Sequence, residues 1–275
     1  MSTNVTGIAR VAATFEALEA RGKKALIAYL SMGDPSLEDS IENALVAAEA
    51  GADLLELGVP FSDPVADGPV LEQAALRSIR AGGSLLRTLE AAAKIRDRSE
   101  VPLVLFTYFN PLFVAGPSIV KRAAEAGIDA LLVVDLPAEE GQDFREIARD
   151  VGVAMIPLIT PTSGEDRIAA SREGAAGFVY YVSLTGITGA ASAPLADASN
   201  AAAELRKKMN LPVVVGFGID SPEKAKLAGG PADGGASGVV VGTALVRKIH
   251  EASASGAQAQ RAATRTLIQS LRAAL

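Results

Sequence analysis

The chain contains no cysteine and no tryptophan, and only one histidine, His250. Without thiols it forms neither disulfides nor thiolate metal centres, and one imidazole cannot build a histidine cluster. Aromatic residues are scarce at 4%, and no apolar stretch runs unbroken for the roughly 20 residues that a membrane-spanning helix requires. Positive charge is not in excess either: 26 Lys and Arg stand against 32 Asp and Glu, a net charge of −6, and the basic residues are scattered. Such a distribution cannot track a phosphate backbone, so nucleic-acid binding is not among the expected functions. The start, Met1-Ser2-Thr3-Asn4, lacks a basic region leading into an apolar segment, and the expected location is cytoplasmic.

What remains is a chain of 275 residues, 49% of them hydrophobic, long enough to bury a large core within one domain. Eight short apolar runs recur along it: Ala25 to Leu30, Asp53 to Gly58, Pro102 to Thr107, Ala130 to Val134, Val153 to Pro157, Gly177 to Val182, Pro212 to Gly216 and Gly238 to Gly242. Between them lie segments with apolar residues at helical spacing, among them Leu37 to Ala50, Leu85 to Arg96, Ile119 to Ala126, Glu139 to Asp150 and Ala198 to Met209. Near-continuous apolar strands alternating with helices imply a parallel sheet covered on its outer side. Eight units in one series predict a (β/α)8 TIM barrel with an extra N-terminal helix, residues 1–275 forming a single domain. A doubly wound open sheet is the alternative. An amphipathic helix over Ile8 to Arg21 and another over Gln258 to Leu275 are expected to dock on the barrel. The Gly/Ala-rich segment Ala228 to Ser237 precedes the last strand and is assigned no catalytic part.

The connections that follow the second and sixth runs are long: one holds Asp63 to Pro69, the other Ser183 to Asn200. Both leave strand C-termini, the end at which barrel enzymes assemble their active sites. Within the second run, Leu54-Leu55-Glu56-Leu57-Gly58, period-two alternation sets Leu54, Glu56 and Gly58 on one face and Leu55 and Leu57 on the other. If the leucines pack beneath the outer helices, Glu56 points into the barrel, where apolar surroundings raise its pKa and suit it to proton transfer. A strand-end acid bonded to neighbouring backbone, or paired with a buried Arg, is the other reading. Asp67 precedes a glycine and Asp63 precedes Pro64, so turn formation alone accounts for both.

Three glycine loops offer backbone N–H groups: Gly186-Ile187-Thr188-Gly189 after the sixth run, Gly216-Phe217-Gly218 after the seventh, and Gly242-Thr243 after the eighth, where a helix opens. Loops of this kind at the last strands of a barrel, beside a helix N-terminus, form a phosphate site that needs no lysine. Tyr29, Phe106, Tyr108, Leu132 and Tyr180 lie at other strand ends and either line a slot for a flat apolar ring or fill the core. The residues by themselves lead to a barrel enzyme with proton-transfer carboxylates, a phosphate grip and an apolar pocket.

The segment Glu56-Leu57-Gly58-Val59-Pro60-Phe61-Ser62-Asp63-Pro64-Val65-Ala66-Asp67-Gly68-Pro69 closely resembles the signature of the tryptophan synthase α subunit family. Gly33-Asp34-Pro35, Tyr108-Phe109-Asn110, Asp135-Leu136-Pro137, Tyr180 with Gly186-Ile187-Thr188-Gly189, and Gly216-Phe217-Gly218 follow in the family's order. Ser183-Leu184-Thr185 departs from the pattern, since several relatives carry an arginine and a small residue there.

The resemblance implies retro-aldol cleavage of indole-3-glycerol phosphate to indole and glyceraldehyde 3-phosphate. Glu56 would move the protons, and Asp67 would accept the ring N–H hydrogen bond. Tyr29, Phe106, Tyr108, Leu132 and Tyr180 would surround the indole side, and Gly189, Gly218, Gly242 and Thr243 the phosphate. Asp63, Pro64 and Thr188 would belong to the closure and partner loops. The implied partner is a β subunit carrying pyridoxal phosphate, in an α2β2 heterotetramer, with no cofactor in this chain. Three other readings stay open at this stage: another phosphate-binding barrel lyase or isomerase, a non-catalytic activator of a β-type partner, and a metal-assisted aldolase using Asp34, Asp63, Asp67 and Asp135.

Overall fold

Each apolar run becomes a parallel strand in a computed structural model that describes residues 7–182, 195–216, 218–231 and 234–275. The strands are β1 (Ala25–Ser31), β2 (Leu54–Gly58), β3 (Leu103–Thr107), β4 (Ala130–Val133), β5 (Ala154–Met155), β6 (Leu158–Ile159), β7 (Val179–Val182), β8 (Val213–Gly216) and β9 (Gly238–Val241). The helices are α1 (Ile8–Glu19), α2 (Leu37–Glu49), α3 (Pro69–Arg80), α4 (Leu85–Arg96), α5 (Phe109–Ala115), α6 (Ser118–Glu125), α7 (Gln142–Asp150), α8 (Glu165–Arg172), α9 (Leu195–Met209), α10 (Pro222–Gly229), α11 (Thr243–Ser253) and α12 (Ala257–Arg272). Among the described residues no helix is long and apolar enough to cross a membrane.

The sheet runs β5-β4-β3-β2-β1-β9-β8-β7-β6 with every pairing parallel. Of its two end strands, β5 lies within the run expected over Val153 to Pro157 and β6 just beyond it, the two separated by Ile156-Pro157. Pro157 has no N–H to offer a ladder. Ile156 N–H donates to Leu131 of β4 (2.9 Å), and the Pro157 carbonyl accepts from Tyr180 of β7 (2.9 Å). One short stretch of chain therefore joins both ends of the sheet, which closes it as a TIM barrel and excludes the open sheet.

Period-two alternation sorts the strand residues into two cores. Ile27, Tyr29, Leu54, Val104, Leu132, Val214 and Val240 fill the barrel interior. Leu26, Leu55, Leu57, Leu103, Leu105, Val213 and Val215 pack outward beneath the helices. The leucines that flank Glu56 thus belong to the outer layer, and Glu56 faces inward as the alternation predicts.

The two terminal helices do different work. Val11, Phe15 and Leu18 of α1, at helical spacing, join the interior cluster, with Phe15 against Phe178 at 5.5 Å between ring centroids. This helix plugs the N-terminal mouth and leaves the C-terminal end as the one at which ligands can enter. The helix α12 lies on the outside: Ile268 and Leu271 are buried, and Gln260 and Thr264 hydrogen-bond to Asn43 of α2.

The plug is fastened by Asp129, which stands just before β4 with a side chain only 1% exposed. Its carboxylate accepts hydrogen bonds from Arg10 (2.6 Å), Arg96 (2.6 Å), Gly7 N–H (2.9 Å) and Leu103 N–H (2.9 Å). Removing one member of such a network strands the others. Asp129→Ala is expected to lower the unfolding free energy by roughly 3–5 kcal/mol in urea denaturation; an unchanged midpoint would show that the network carries no weight.

Candidate active site

Glu56 sits in mid-strand on β2, in register with Tyr29 of β1 and Val104 of β3, and is 0% exposed. Among the described residues neither of its carboxyl oxygens has a hydrogen-bond partner. Both bland readings of this residue, a backbone-bonded acid or an arginine pair, are therefore unsupported there. Burial pushes its carboxyl up to about 8, because the charged form loses its hydration and gains nothing in return.

Asp67 arrives from the loop after β2. The chain turns twice, with Val65 N–H donating to Asp63 and Asp67 N–H to Pro64, both at 2.9 Å. It then enters α3 through Gly68 and Pro69, proline being well suited to a first helical position. The turn chemistry expected of Asp63-Pro64 is therefore present, and it serves to aim the next acid. Asp67 is half-buried, and burial pushes its carboxyl up to about 6, with the hydrogen-bonding Tyr108 hydroxyl acting the other way. The same hydroxyl accepts a hydrogen bond from Ala66 N–H (3.0 Å), and Phe61 packs on the Tyr108 ring at 5.2 Å. Tyr108 thus holds the acid-bearing loop from the end of β3.

Two more phenols converge on the acids. The Tyr29 hydroxyl is raised by burial, then by Asp67 and by Glu56, and the Tyr180 hydroxyl by burial, then by Glu56 and by Asp67. Each therefore lies within electrostatic reach of both carboxyls, although they come from strands on opposite sides of β9. Room for them comes from glycine. A Cβ at Gly58 would overlap the Tyr29 hydroxyl, and one at Gly216 would overlap that of Tyr180. Glycine inside a strand often marks such a close approach, a signal available in the sequence, where Gly58 is read only as a strand-face position and Gly216 only as loop chemistry.

Phe106 stands edge-on to Tyr29 at 5.2 Å, and its register partner on β4 is Leu132. Leu132 is a buried member of the interior cluster and Phe106 packs against it partly buried. At the neighbouring strand ends, Gly218 takes a positive φ of 70° with open space where a Cβ would stand. Gly242 caps α11, whose first helical residue is Thr243 and whose first turn carries no acidic side chain. The strands β8 and β9 are hydrogen-bonded neighbours, so the two loops adjoin. Gly189, Thr188, Phe217 and the Ser183-Leu184-Thr185 departure lie outside the described residues. Asp63 is exposed and Pro64 partly so, beyond the carboxyl cluster.

The four aspartates of the metal reading do not assemble. Asp34 is bound to Arg77, and Asp135 accepts from Phe109 N–H (2.6 Å). Among the described residues no group of three or more His, Cys, Asp or Glu side chains could hold a metal ion.

Comparison with known proteins gives a consistent picture. A family model described as tryptophan synthase alpha chain matches residues 15–275. The tryptophan synthase alpha chain of Citrifermentans bemidjiense is 45% identical over 241 residues, covering 87% of this chain and 89% of that one. That of Synechococcus elongatus is 43% identical over 243 residues, covering 88% and 90%. Among solved structures, tryptophan synthase subunit alpha from Legionella pneumophila superposes with a TM-score of 0.88 at 34% identity, over 96% of this chain and 97% of that one. A chain of tryptophan synthase from M. tuberculosis, in an open form with BRD0059 bound, gives 0.81 at 30% identity, over 96% and 98%.

The environment of Glu56 has a thermodynamic consequence. Its folded pKa of about 8 lies above the ordinary 4.5, so the stability associated with the protonated form is fully present below 4.5. It is lost progressively as the pH rises through about 8. A glutamine escapes that loss. Glu56→Gln is expected to match the unsubstituted chain at the acid end and to exceed its stability by on the order of 4 kcal/mol above pH 8. Urea denaturation of both chains from pH 5 to pH 9 reads the difference, and parallel profiles would contradict a carboxyl held neutral by burial.

Proposed function

Because this chain belongs to the tryptophan synthase alpha chain family, we propose that Glu56 and Asp67 are the acids that carry the family's reaction here. That reaction is the retro-aldol cleavage of indole-3-glycerol phosphate to indole and glyceraldehyde 3-phosphate, a carbon–carbon lyase step of tryptophan biosynthesis. The alpha chain works with the β subunit of tryptophan synthase, and pyridoxal phosphate belongs to that subunit.

The observation that carries the proposal is that Glu56 is fully buried with no hydrogen-bond partner among the described residues, while Asp67 is only half-buried on the loop that follows the same strand, so that burial raises the first to about 8 and the second to about 6. Near neutrality the first holds its proton and the second has released it, and acids whose environments drive them apart divide acid and base roles between them. In this reading Glu56 delivers its proton to C3 of the indole, leaving positive charge on the ring nitrogen. The Asp67 carboxylate accepts the N–H hydrogen bond and stabilises that charge. The ionised Glu56 then takes the proton of the hydroxyl on the adjoining side-chain carbon. The carbonyl of the aldehyde forms there, the C–C bond breaks, and its electrons return to the ring. One proton enters and one leaves, so Glu56 ends as it began.

Tyr29, Phe106, Tyr108, Leu132 and Tyr180 are read as the walls of the indole pocket. Gly218, Gly242 and Thr243 are read as the phosphate grip, where the unopposed positive end of α11 attracts a dianion. Asp63 and Pro64 are read as a closure and docking edge for the β subunit in an α2β2 assembly. Exposed apolar side chains on the same rim support this: Val65 in the loop, and Phe113 and Val114 on α5. The same reading takes residues 1–275 as one barrel domain of a cytoplasmic biosynthetic enzyme, in keeping with a family match that spans most of the chain.

Glu56→Gln is expected to lower kcat for indole release by about 10²–10⁴-fold, with binding of glyceraldehyde 3-phosphate retained in calorimetry. Normal turnover in that variant would overturn the catalytic assignment and favour a non-catalytic activator. The pH profile of kcat/KM is expected to be bell-shaped. It falls below about 6 as Asp67 takes up a proton and above about 8 as Glu56 loses one. Asp67→Asn is expected to remove the acid limb, and an unshifted limb in that variant would place the lower ionisation elsewhere.

A further inference from the structure

Asp67 stands at the entrance of α3 and has no ion pair to fix it among the described residues, so its position depends on how that helix is anchored. The polar anchors lie in its third turn. Arg77 donates from Nε and Nη2 to the two oxygens of Asp34, both at 2.8 Å. The Ser78 hydroxyl donates to the carbonyl of Met32 at 2.6 Å. Both acceptors lie just beyond β1, the strand whose Tyr29 packs against Phe106 and fills the space over Gly58. The helix that begins two residues after Asp67 is thereby bolted to the strand next to the one that carries Glu56.

The bolt also neutralises a charge. The Asp34 side chain is 3% exposed and that of Arg77 28%. Asp34 is near enough to the Tyr29 hydroxyl to help raise it, alongside Asp67 and Glu56. Without its guanidinium, Asp34 would be a third free carboxylate beside a site that divides its work between two.

We propose that Asp34 and Arg77 form a positioning pair for the cleavage reaction: the fork holds α3 so that Asp67 meets the ring N–H, and it withholds the Asp34 charge from the site. The pair acts through Asp67 and rests on the role assigned to that residue above. A lysine at 77 keeps the charge but cannot grip both oxygens in one plane. An asparagine at 34 removes the ion pair and leaves behind an arginine that water can still reach.

The test uses the full chain with its β subunit and measures indole release from indole-3-glycerol phosphate in Arg77→Lys, Asp34→Asn and Asp67→Asn, and in each of the first two combined with the third. The single substitutions at 34 and 77 are expected to lower kcat by roughly tenfold to a hundredfold while KM stays within about twofold. In the Asp67→Asn background the same substitutions are expected to change kcat by less than about twofold, since residues acting through one group are not additive. Thermal unfolding of each variant accompanies the rates, and Arg77→Lys, which keeps the charge pair, carries the test if Asp34→Asn does not fold. A slow Asp67→Asn combined with undiminished rates in the single variants, or with the full loss repeated in the Asp67→Asn background, overturns the pair alone. A fast Asp67→Asn overturns the pair together with the assignment of Asp67.

Discussion

The desolvation of one carboxyl group is the constraint on which the site depends. Glu56 is fully buried on a central strand of a closed barrel, without a counter-charge or hydrogen-bond partner among the described residues. An ionised carboxylate there costs several kcal/mol, so the group keeps its proton where an exposed glutamate would have lost it. The fold tolerates this because the strands on either side are rigidly paired and both faces of β2 are packed, Leu54 inward and Leu55 and Leu57 outward. The instability is local, and in the proposed function it supplies the acid.

In the proposed function such an acid works beside a second one that stays ionised, and the loop after β2 carries the candidate, Asp67, within a few residues of chain. Turn hydrogen bonds, the hydroxyl of Tyr108 and the proline at the start of α3 all constrain that loop. Asp67 is therefore less buried than Glu56 by construction: one acid sits in the strand, the other on the rim. The phenols of Tyr29 and Tyr180 reach the same space because Gly58 and Gly216 leave it empty. Local backbone choices at four strand ends thus converge on one small volume.

The rest of the molecule makes that volume the usable end of the barrel. Phe15 and its neighbours on α1 close the opposite mouth, and Asp129 fastens the plug through two arginines and two backbone amides. Stability is concentrated at the N-terminal face, while the loops that carry Asp67, Gly218 and Gly242 gather at the other. This division is general in barrels, and here it has identifiable side chains at both ends.

Much of this is legible in the residues in order. Alternation along Leu54 to Gly58 is a local property, so the inward direction of Glu56 and the outward direction of its leucine neighbours could be read directly, as could the apolar runs and the glycines ahead of α11. Asp67 could not be told from an ordinary turn residue by spacing alone; its meaning came from resemblance to a family. The bond across Ile156-Pro157 that closes the sheet, the union of Asp34 with Arg77 and the tyrosines standing over Gly58 and Gly216 join residues tens of positions apart or on different strands. Sequence thus determined which side chains face inward, because that depends on a period of two. Tertiary structure alone decided which of them share a dielectric environment and a hydrogen-bond partner, because that depends on where the closed barrel brings distant segments together.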